Sequence, residues 1–159
     1  IILRPDDPAD LPRFLDWVRP LNPESRAQPA RIVTAGRGMT DSDFPSVAIL
    51  STASLADLSA RMGQDLSPHR WRGNLWLEGA APWAEFGWIG REIRIGQAVL
   101  RIEERITRCT ATQVNPDSGK TDADTLSALE AAFGHQDFGV YATVIAGGMV
   151  ATGDEWSLT

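Results

Sequence analysis

Cys109, the single cysteine of the chain, is the residue best suited to chemistry. It lies in the stretch RITRCTATQVNPDSGK, residues 105–120, where Arg108 precedes it directly and Arg105 is close by. A neighbouring cation favours the thiolate form of a cysteine, and a thiolate is a good ligand for a soft metal. A lone cysteine is more often a small buried hydrophobic residue. The sequence therefore leaves open whether Cys109 is a ligand or part of the core.

The stretch WRGN is a second candidate, because its residue types suit a phosphate group. Arg72 offers a bidentate guanidinium, Gly73 allows close approach of the backbone, and Asn74 can both donate and accept hydrogen bonds. The alternative is a surface loop with solvated arginines.

Other polar residues carry weaker signals. Tyr141, the only tyrosine, lies in DFGVYATV and would by default pack with its hydroxyl hydrogen-bonded. His69 and His135 are too far apart to show metal-ligand spacing, and nothing marks Glu78 and Glu85 as a catalytic pair. The sequence contains no nucleophile elbow, Walker loop or dinucleotide-binding pattern in the required context.

Composition excludes several classes of protein. The net charge of −6 over 159 residues argues against a general nucleic-acid binder. One cysteine excludes an internal disulfide framework and predicts a reducing compartment, here the cytoplasm. No stretch is apolar enough for a membrane span. Because the sequence starts with Ile1-Ile2-Leu3, which is typical of the end of a strand, we expect a fragment or a processed piece.

The pattern of apolar residues predicts a mostly β fold with flanking helices, in which a mainly antiparallel barrel carries helices on its outside. Helices are predicted near the start and at 51–63 and 122–134, the second capped by Thr52 or Ser54. A loop is predicted at 36–46. Strands are predicted at 30–35, 47–50, 74–79, 91–106 with an internal turn, 138–148 and a closing pair within 149–158.

Several segments taken in order resemble a MOSC domain, the family named for the C-terminal part of molybdenum-cofactor sulfurase. The resemblance is close to the C-terminal part of the amidoxime-reducing members and covers residues 39–159, whereas residues 1–38 are similar to the tail of a truncated N-terminal β-rich region. The segments are STASLADLSARM, HRWRGNLWLEG, PWAEFGWIG, IRIG, RITRCTATQVNPDSG, HQDFGVYATVIAGG and TGDEW.

This resemblance implies a closed β-barrel that binds the molybdenum cofactor, a pterin dithiolene with a phosphate tail. It places the metal ligand and catalytic residue on Cys109. The residues it implies for cofactor binding are Arg72, Asn74, Thr107, Arg108, Tyr141 and, at the start of a helix, Ser54. Trp71 and Gly73 depart from the Phe and Pro that the reductases tend to show.

Three functions follow from the resemblance and remain open. The first is a molybdenum-dependent oxidoreductase that reduces N-hydroxylated or related N-oxygenated small molecules with electrons from a separate redox protein. The second is a cofactor or sulfur carrier in which Cys109 holds a persulfide for a sulfur-transfer partner. The third is a cofactor-free interaction barrel. None of them involves nucleic acid or a membrane.

Overall fold

The structure is a computed structural model that describes residues 1–36, 38 and 40–159. It divides into two compact units, Ile1–Met39 and Thr40–Thr159. Two residues of the predicted loop at 36–46, at positions 37 and 39, lie outside the described residues, and so does the predicted start of the MOSC domain at position 39.

In the first unit the elements assigned among the described residues are all short and helical. Two 3-10 turns, Pro8–Asp10 and Arg19–Leu21, flank helix α1, Leu11–Val18. The strands predicted at 30–35 and at the start of the chain are wrong, because the described residues there have no strand assignment. Ile32 and Val33 are exposed, and this unit offers no described strand with which they could pair.

The second unit is built on one six-stranded sheet in the order β2-β1-β5-β4-β3-β6. Neighbouring strands are antiparallel except for the parallel pair β1 and β2, so the predicted antiparallel character is confirmed. The strands are β1 Val47–Ser51, β2 Leu75–Leu77, β3 Glu92–Ile95, β4 Ala98–Thr107, β5 Asp137–Ala146 and β6 Trp156–Leu158.

The predicted closed barrel is wrong, since the sheet is a curled half-barrel with β2 and β6 at its edges. No ladder joins these two strands within the described part of the chain. A side-chain hydrogen bond links the two edges, in which Trp156 Nε1 donates to the carbonyl oxygen of Glu78, the residue after β2, at 2.8 Å. The predicted closing pair of strands is reduced to β6, because residues 149–151 have no strand assignment.

The central strands are buried on both faces. Along β1, Ile49 belongs to a core cluster inside the curled sheet, whereas Ala48 and Leu50 belong to a cluster under the helices. This follows from the alternation of side chains along a strand. Phe138 of β5 belongs to the helical cluster and Val140 to the inner one, so the strand changes face at the residue between them.

Two helices cover the outer face, α2 Thr52–Met62 and α3 Thr125–Phe133. The N-cap of α2 is Ser51, whose hydroxyl accepts from the N–H of Ser54 at 3.3 Å. The predicted caps, Thr52 and Ser54, are therefore wrong, because both residues lie inside the helix. Asp124 caps α3 by accepting from Ser127 at 3.2 Å. None of the helices among the described residues is long and apolar enough to cross a bilayer.

Candidate functional site

Cys109 lies directly after β4 and Arg108, at the start of the 3-10 turn Thr110–Gln113. Its backbone is extended (φ −114°, ψ 177°) and the thiol is exposed. The turn is fixed by Thr112, which hydrogen-bonds the carbonyl of Cys109 and, through its buried hydroxyl, Thr125 at 2.7 Å. The cysteine is therefore presented to solvent on an anchored loop and is not part of the core.

Arg108 points inward and fastens two segments of the site together. Its Nε and Nη2 donate to the carbonyl oxygen of Phe138, and its Nη1 donates to the carbonyl oxygen of Trp71 at 2.8 Å. The guanidinium also lies 5.6 Å from the ring of Trp71 and 5.9 Å from that of Phe138, which stack at 4.0 Å. Arg108 therefore connects the stretch before Arg72 to β5.

Gly139 makes this arrangement possible. Its φ of +79° is a left-handed conformation that L side chains rarely adopt. A Cβ at this position would lie 2.8 Å from Leu50 Cγ, 2.9 Å from the carbonyl oxygen of Ile49 and 3.4 Å from Arg108 Nη2. Glycine therefore allows β5 to approach β1 closely and leaves the preceding carbonyl of Phe138 aimed at the guanidinium.

The positive charge of Arg108 interacts with other groups of the site, although its N–H donors point into the protein. Burial lowers the pKa of Arg108 to about 10, and the nearby Tyr141, Cys109 and Asp41 oppose this effect. The guanidinium therefore stays positive at neutral pH. It interacts electrostatically with Cys109, the next residue of the chain.

Arg72 and Asn74 lie on the neighbouring stretch, at the entry to β2. Arg72 is exposed and left-handed (φ 49°, ψ 37°), a conformation that costs energy for a residue with a side chain. Asn74 extends the pairing with β1, because its N–H donates to the carbonyl oxygen of Ala48 at 3.0 Å and its Oδ1 accepts from the N–H of Ala48 at 2.8 Å. Gly73 between them is closely packed, since a Cβ there would lie 2.7 Å from Leu50 Cδ1 and 2.9 Å from Trp76 Nε1, and these side chains would have to shift.

Tyr141 is half-buried on β5 opposite Ala48 and packs edge-on against Phe44 at 6.4 Å. Burial raises the pKa of its hydroxyl, as do the negative charges of Asp41 and Glu104, while Arg108 and Arg72 lower it. The phenol is therefore protonated at neutral pH and lies within electrostatic reach of both arginines.

Two predicted residues are engaged with other groups. Thr107 is exposed at the end of β4, and its hydroxyl donates to Asp137 Oδ1 at 2.7 Å. Ser54 is fully buried, donates to the carboxyl of Glu85 at 2.8 and 3.0 Å and accepts from the N–H of Trp83 at 2.8 Å. The hydroxyl of Ser54 therefore cannot reach an exposed ligand, and Ser54 is not part of the proposed cofactor site.

Electrostatic interactions link Arg108 to Cys109 and to Tyr141, and Tyr141 to Arg72. Sequence reasoning missed Asp41, although the acidic stretch DSD was visible, and Asp137, which precedes the FG-x-Y pattern directly. Within the described ranges no three His, Cys, Asp or Glu side chains are grouped to hold a metal ion.

Comparison with known proteins agrees with the arrangement of the second unit. Two solved structures share its fold. The YUAD protein from Bacillus subtilis has a TM-score of 0.57 and 24% identity and covers 70% of this chain and 62% of that chain. YiiM from Geobacillus stearothermophilus has a TM-score of 0.53 and 16% identity, and the match covers 71% of this chain and 53% of that chain. At these identities the similarity concerns the fold alone.

Similarity in sequence extends to named enzymes. Mitochondrial amidoxime-reducing component 1 from Homo sapiens is 33% identical over 112 residues, 70% of this chain and 32% of that protein. The protein of the same name from Mus musculus is 30% identical over 110 residues, which are 69% of this chain and 32% of that protein. The chain thus spans about a third of the length of these relatives. The family model described as the MOSC domain matches residues 39–157, and the chain belongs to the MOSC domain family.

Proposed function

We propose that this chain binds the molybdenum cofactor and reduces N-hydroxylated or related N-oxygenated small molecules with electrons from a separate redox protein. The observation that carries the proposal is the exposed thiol of Cys109 on an anchored loop beside the partly buried, positively charged Arg108. An accessible sulfur in a positive field is what a soft metal requires of a protein ligand.

The other side chains fit a group that carries dithiolene sulfurs and a phosphate. Arg72 is exposed, makes no side-chain hydrogen bond or ion pair within the described part of the chain, and can form a fork to phosphate oxygens. Tyr141, held protonated, can donate a hydrogen bond. The Oδ1 of Asn74 is used by the backbone of Ala48, so only its amide N–H groups can contact the cofactor. Its first role is to hold the loop.

When bound, the cofactor would supply two-electron redox chemistry at molybdenum, with Cys109 as its protein ligand. The chain itself does the positioning. Arg108 fixes the loop of Arg72 relative to β5 through its carbonyl bonds to Trp71 and Phe138. Because these bonds are intramolecular and preformed, the binding groups need little rearrangement when the cofactor enters.

The proposal includes features that depend on the family. Reduction of amidoximes is suggested by the names of the relatives, and a separate electron donor is proposed because no motif for haem, flavin or an iron–sulfur cluster was found in the sequence. We also propose that residues 1–38 are the tail of a truncated N-terminal β-rich region and that the protein is cytoplasmic.

The test compares the full chain with a Cys109→Ser variant, both produced in a host that makes the cofactor. We expect about one molybdenum per wild-type chain by elemental analysis, turnover of an amidoxime with a chemical reductant, and loss of both in the variant. Thr110→Ser, a conservative change at the adjacent exposed position, is the matched control and should keep both. A wild-type chain without molybdenum would refute the proposal, and a labile sulfur adduct on Cys109 by mass spectrometry would favour the carrier function instead.

A further inference from the structure

Arg70 is a buried cation that has no part in the proposed cofactor site. It lies in the 3-10 turn Pro68–Trp71, and only 6% of the residue is exposed. Its Nη2 donates to Asp122 Oδ1 at 2.6 Å, whereas Nε and Nη1 are buried with no acceptor among the described residues. A buried ion pair with unsatisfied donors adds little to stability. The burial of Arg70 therefore needs a reason other than the stability of the core.

The carboxylate of Asp122 closes the segment 113–122 on itself. Its Oδ2 accepts from Asn115 Nδ2 at 2.7 Å. The backbone N–H of Asp122 donates to the carbonyl oxygen of Gln113 at 3.1 Å. Both oxygens of the carboxylate are thus engaged, one within this segment and the other with Arg70, which approaches from a distant part of the chain.

The segment that Asp122 closes is continuous with the turn that presents the thiol. The 3-10 turn Thr110–Gln113 begins directly after Cys109 and ends at the residue whose carbonyl accepts from Asp122. The turn that carries Arg70 lies against it. The guanidinium holds the carboxylate, and the backbone of the same acidic residue holds the end of the turn. One bridging residue therefore links Arg70 to the Cys109 turn.

Two connections therefore bracket Cys109 in the sequence. Before the cysteine, Arg108 donates to the carbonyl oxygen of Trp71 at 2.8 Å. After the cysteine, the acidic residue that closes the segment accepts from Arg70. Both connections end on neighbouring residues of the stretch that leads directly into Arg72. The chain on either side of the thiol is thus fixed to the same short stretch.

We propose that Arg70 is a positioning residue, which holds the Cys109 turn in a fixed place relative to Arg72 through its bond to Asp122. The inference rests on the proposed function, because a ligand that contacts both the thiol and the Arg72 guanidinium requires a constant separation between them. A cofactor with a metal at one end and a phosphate at the other is such a ligand. Arg70 is too buried to touch this ligand itself, so its effect is transmitted through the turn.

The first test needs neither cofactor nor substrate, because one peptide bond reports on this segment. Lys120 is the only lysine of the chain, so a lysine-specific protease has a single cleavage site. The carbonyl oxygen of Lys120 accepts from the N–H of Asn115 at 2.8 Å, and the next residue, Thr121, pairs with Val114 in an isolated bridge. Cleavage therefore requires the segment to open, and at low protease concentration its rate follows the population of the open form.

We expect Arg70→Met to raise the rate of cleavage after Lys120 about tenfold, because a hydrogen bond between charged groups is lost. Arg70→Lys should stay close to the wild-type rate, since a single guanidinium nitrogen is bound and an ammonium group can replace it. Mass spectrometry of the fragments separates cleavage at Lys120 from cleavage at the introduced lysine. Arg61→Met is the matched control, because it removes an Arg–Asp bond of the same length, 2.6 Å, from the surface of α2, and it should leave the rate unchanged.

A double variant shows whether Arg70 acts through Asp122. Asp122→Ala, a change at a partly exposed side chain, should itself raise the cleavage rate. In that background Arg70→Met should add nothing further, because the acceptor is already gone. Urea unfolding of each variant separates opening of the segment from unfolding of the whole chain. A wild-type cleavage rate in Arg70→Met, or a second full increase in the double variant, would overturn the proposal.

The second test uses the full chain produced in a host that makes the cofactor. Molybdenum retained after gel filtration should fall about tenfold in Arg70→Met, for the same loss of a charged hydrogen bond. Arg70→Lys and Arg61→Met should both retain the metal. Recovery in the lysine variant distinguishes a bond that holds the turn from the shape of the arginine side chain.

The two tests separate the positioning role from the function on which it rests. If the wild-type chain contains no molybdenum, the proposed function fails, and the protease rates alone decide whether Arg70 holds the turn. If the wild-type chain contains molybdenum and Arg70→Met opens the segment but retains the metal in full, the positioning role is refuted and the proposed function stands.

Discussion

Replacing Glu85 with glutamine is expected to change how the stability of the chain depends on pH. The Glu85 side chain is fully buried, and its hydrogen-bond partner among the described side chains is the hydroxyl of Ser54, at 2.8 and 3.0 Å. Burial raises the pKa of this carboxyl above its ordinary value of 4.5, and hydrogen bonds from its own backbone and from Ser54 oppose this only in part. No ion pair to Glu85 is found in the described ranges.

The sign follows from linkage between protonation and folding. An acid with a higher pKa in the folded state binds its proton more tightly when folded, so its contribution to stability is fully present below a pH of about 4.5 and is lost as the pH rises through the folded value. Glutamine does not titrate. Between about pH 4 and pH 8, we expect the unfolding free energy of Glu85→Gln relative to wild type to increase by about 1 to 3 kcal/mol, the cost of an incompletely satisfied buried polar group.

The assay is urea unfolding followed by tryptophan fluorescence at several pH values, with the slope of free energy against urea held common to both proteins. Glu130→Gln, an exposed change on α3, is the matched control and should shift the difference by no more than about 0.5 kcal/mol. The reasoning is refuted if the stability curves of wild type and Glu85→Gln run parallel over this pH range, because the buried carboxyl would then cost nothing when ionised.

Two further changes test how the site is held. Gly139→Ala should destabilise the chain by about 3 kcal/mol or more, because it adds a close contact to a left-handed φ of +79°. Gly63→Ala has a φ of +63° with open space around it and should cost only about 1 to 2 kcal/mol; equal costs in urea unfolding would contradict the close approach. Arg108→Lys keeps the charge but loses the fork to the carbonyl of Phe138, and we expect molybdenum retained after gel filtration to fall about tenfold. The exposed change Arg91→Lys should retain it, and full retention in Arg108→Lys would show that charge alone suffices.

The sequence predicted the order and type of most elements of the second unit, because the relevant signals are local. Alternation of apolar residues predicts the strand pair β3 and β4, and Gly96, with a φ of +54°, forms the turn between them. The closure of the sheet could not be predicted in the same way. Whether β2 meets β6 depends on contacts between distant segments, and alternation within a strand carries no information about its partner.

The site was predictable in its chemistry but less so in its geometry. The sequence singled out Cys109 by its neighbours, and the structure places it in the open. Arg108 was expected to face a ligand, yet its side-chain hydrogen bonds among the described residues run to backbone carbonyls. Those acceptors come from residues more than 25 positions away, one of them aimed by the unusual backbone of Gly139. No pattern of residue types near Arg108 could have revealed them.

The inward direction of Arg108 explains why an arginine precedes the cysteine. A guanidinium that pointed outward would be screened by water and would compete with Arg72 for the anionic ligand. Hydrogen bonds to the carbonyls of Trp71 and Phe138 hold the cation beside the loop that carries Cys109. The same bonds tie the loop of Arg72 to β5. One residue therefore keeps a positive charge near Cys109 and ties the stretch before Arg72 to β5, so under the proposed function its substitution should weaken metal and phosphate binding together.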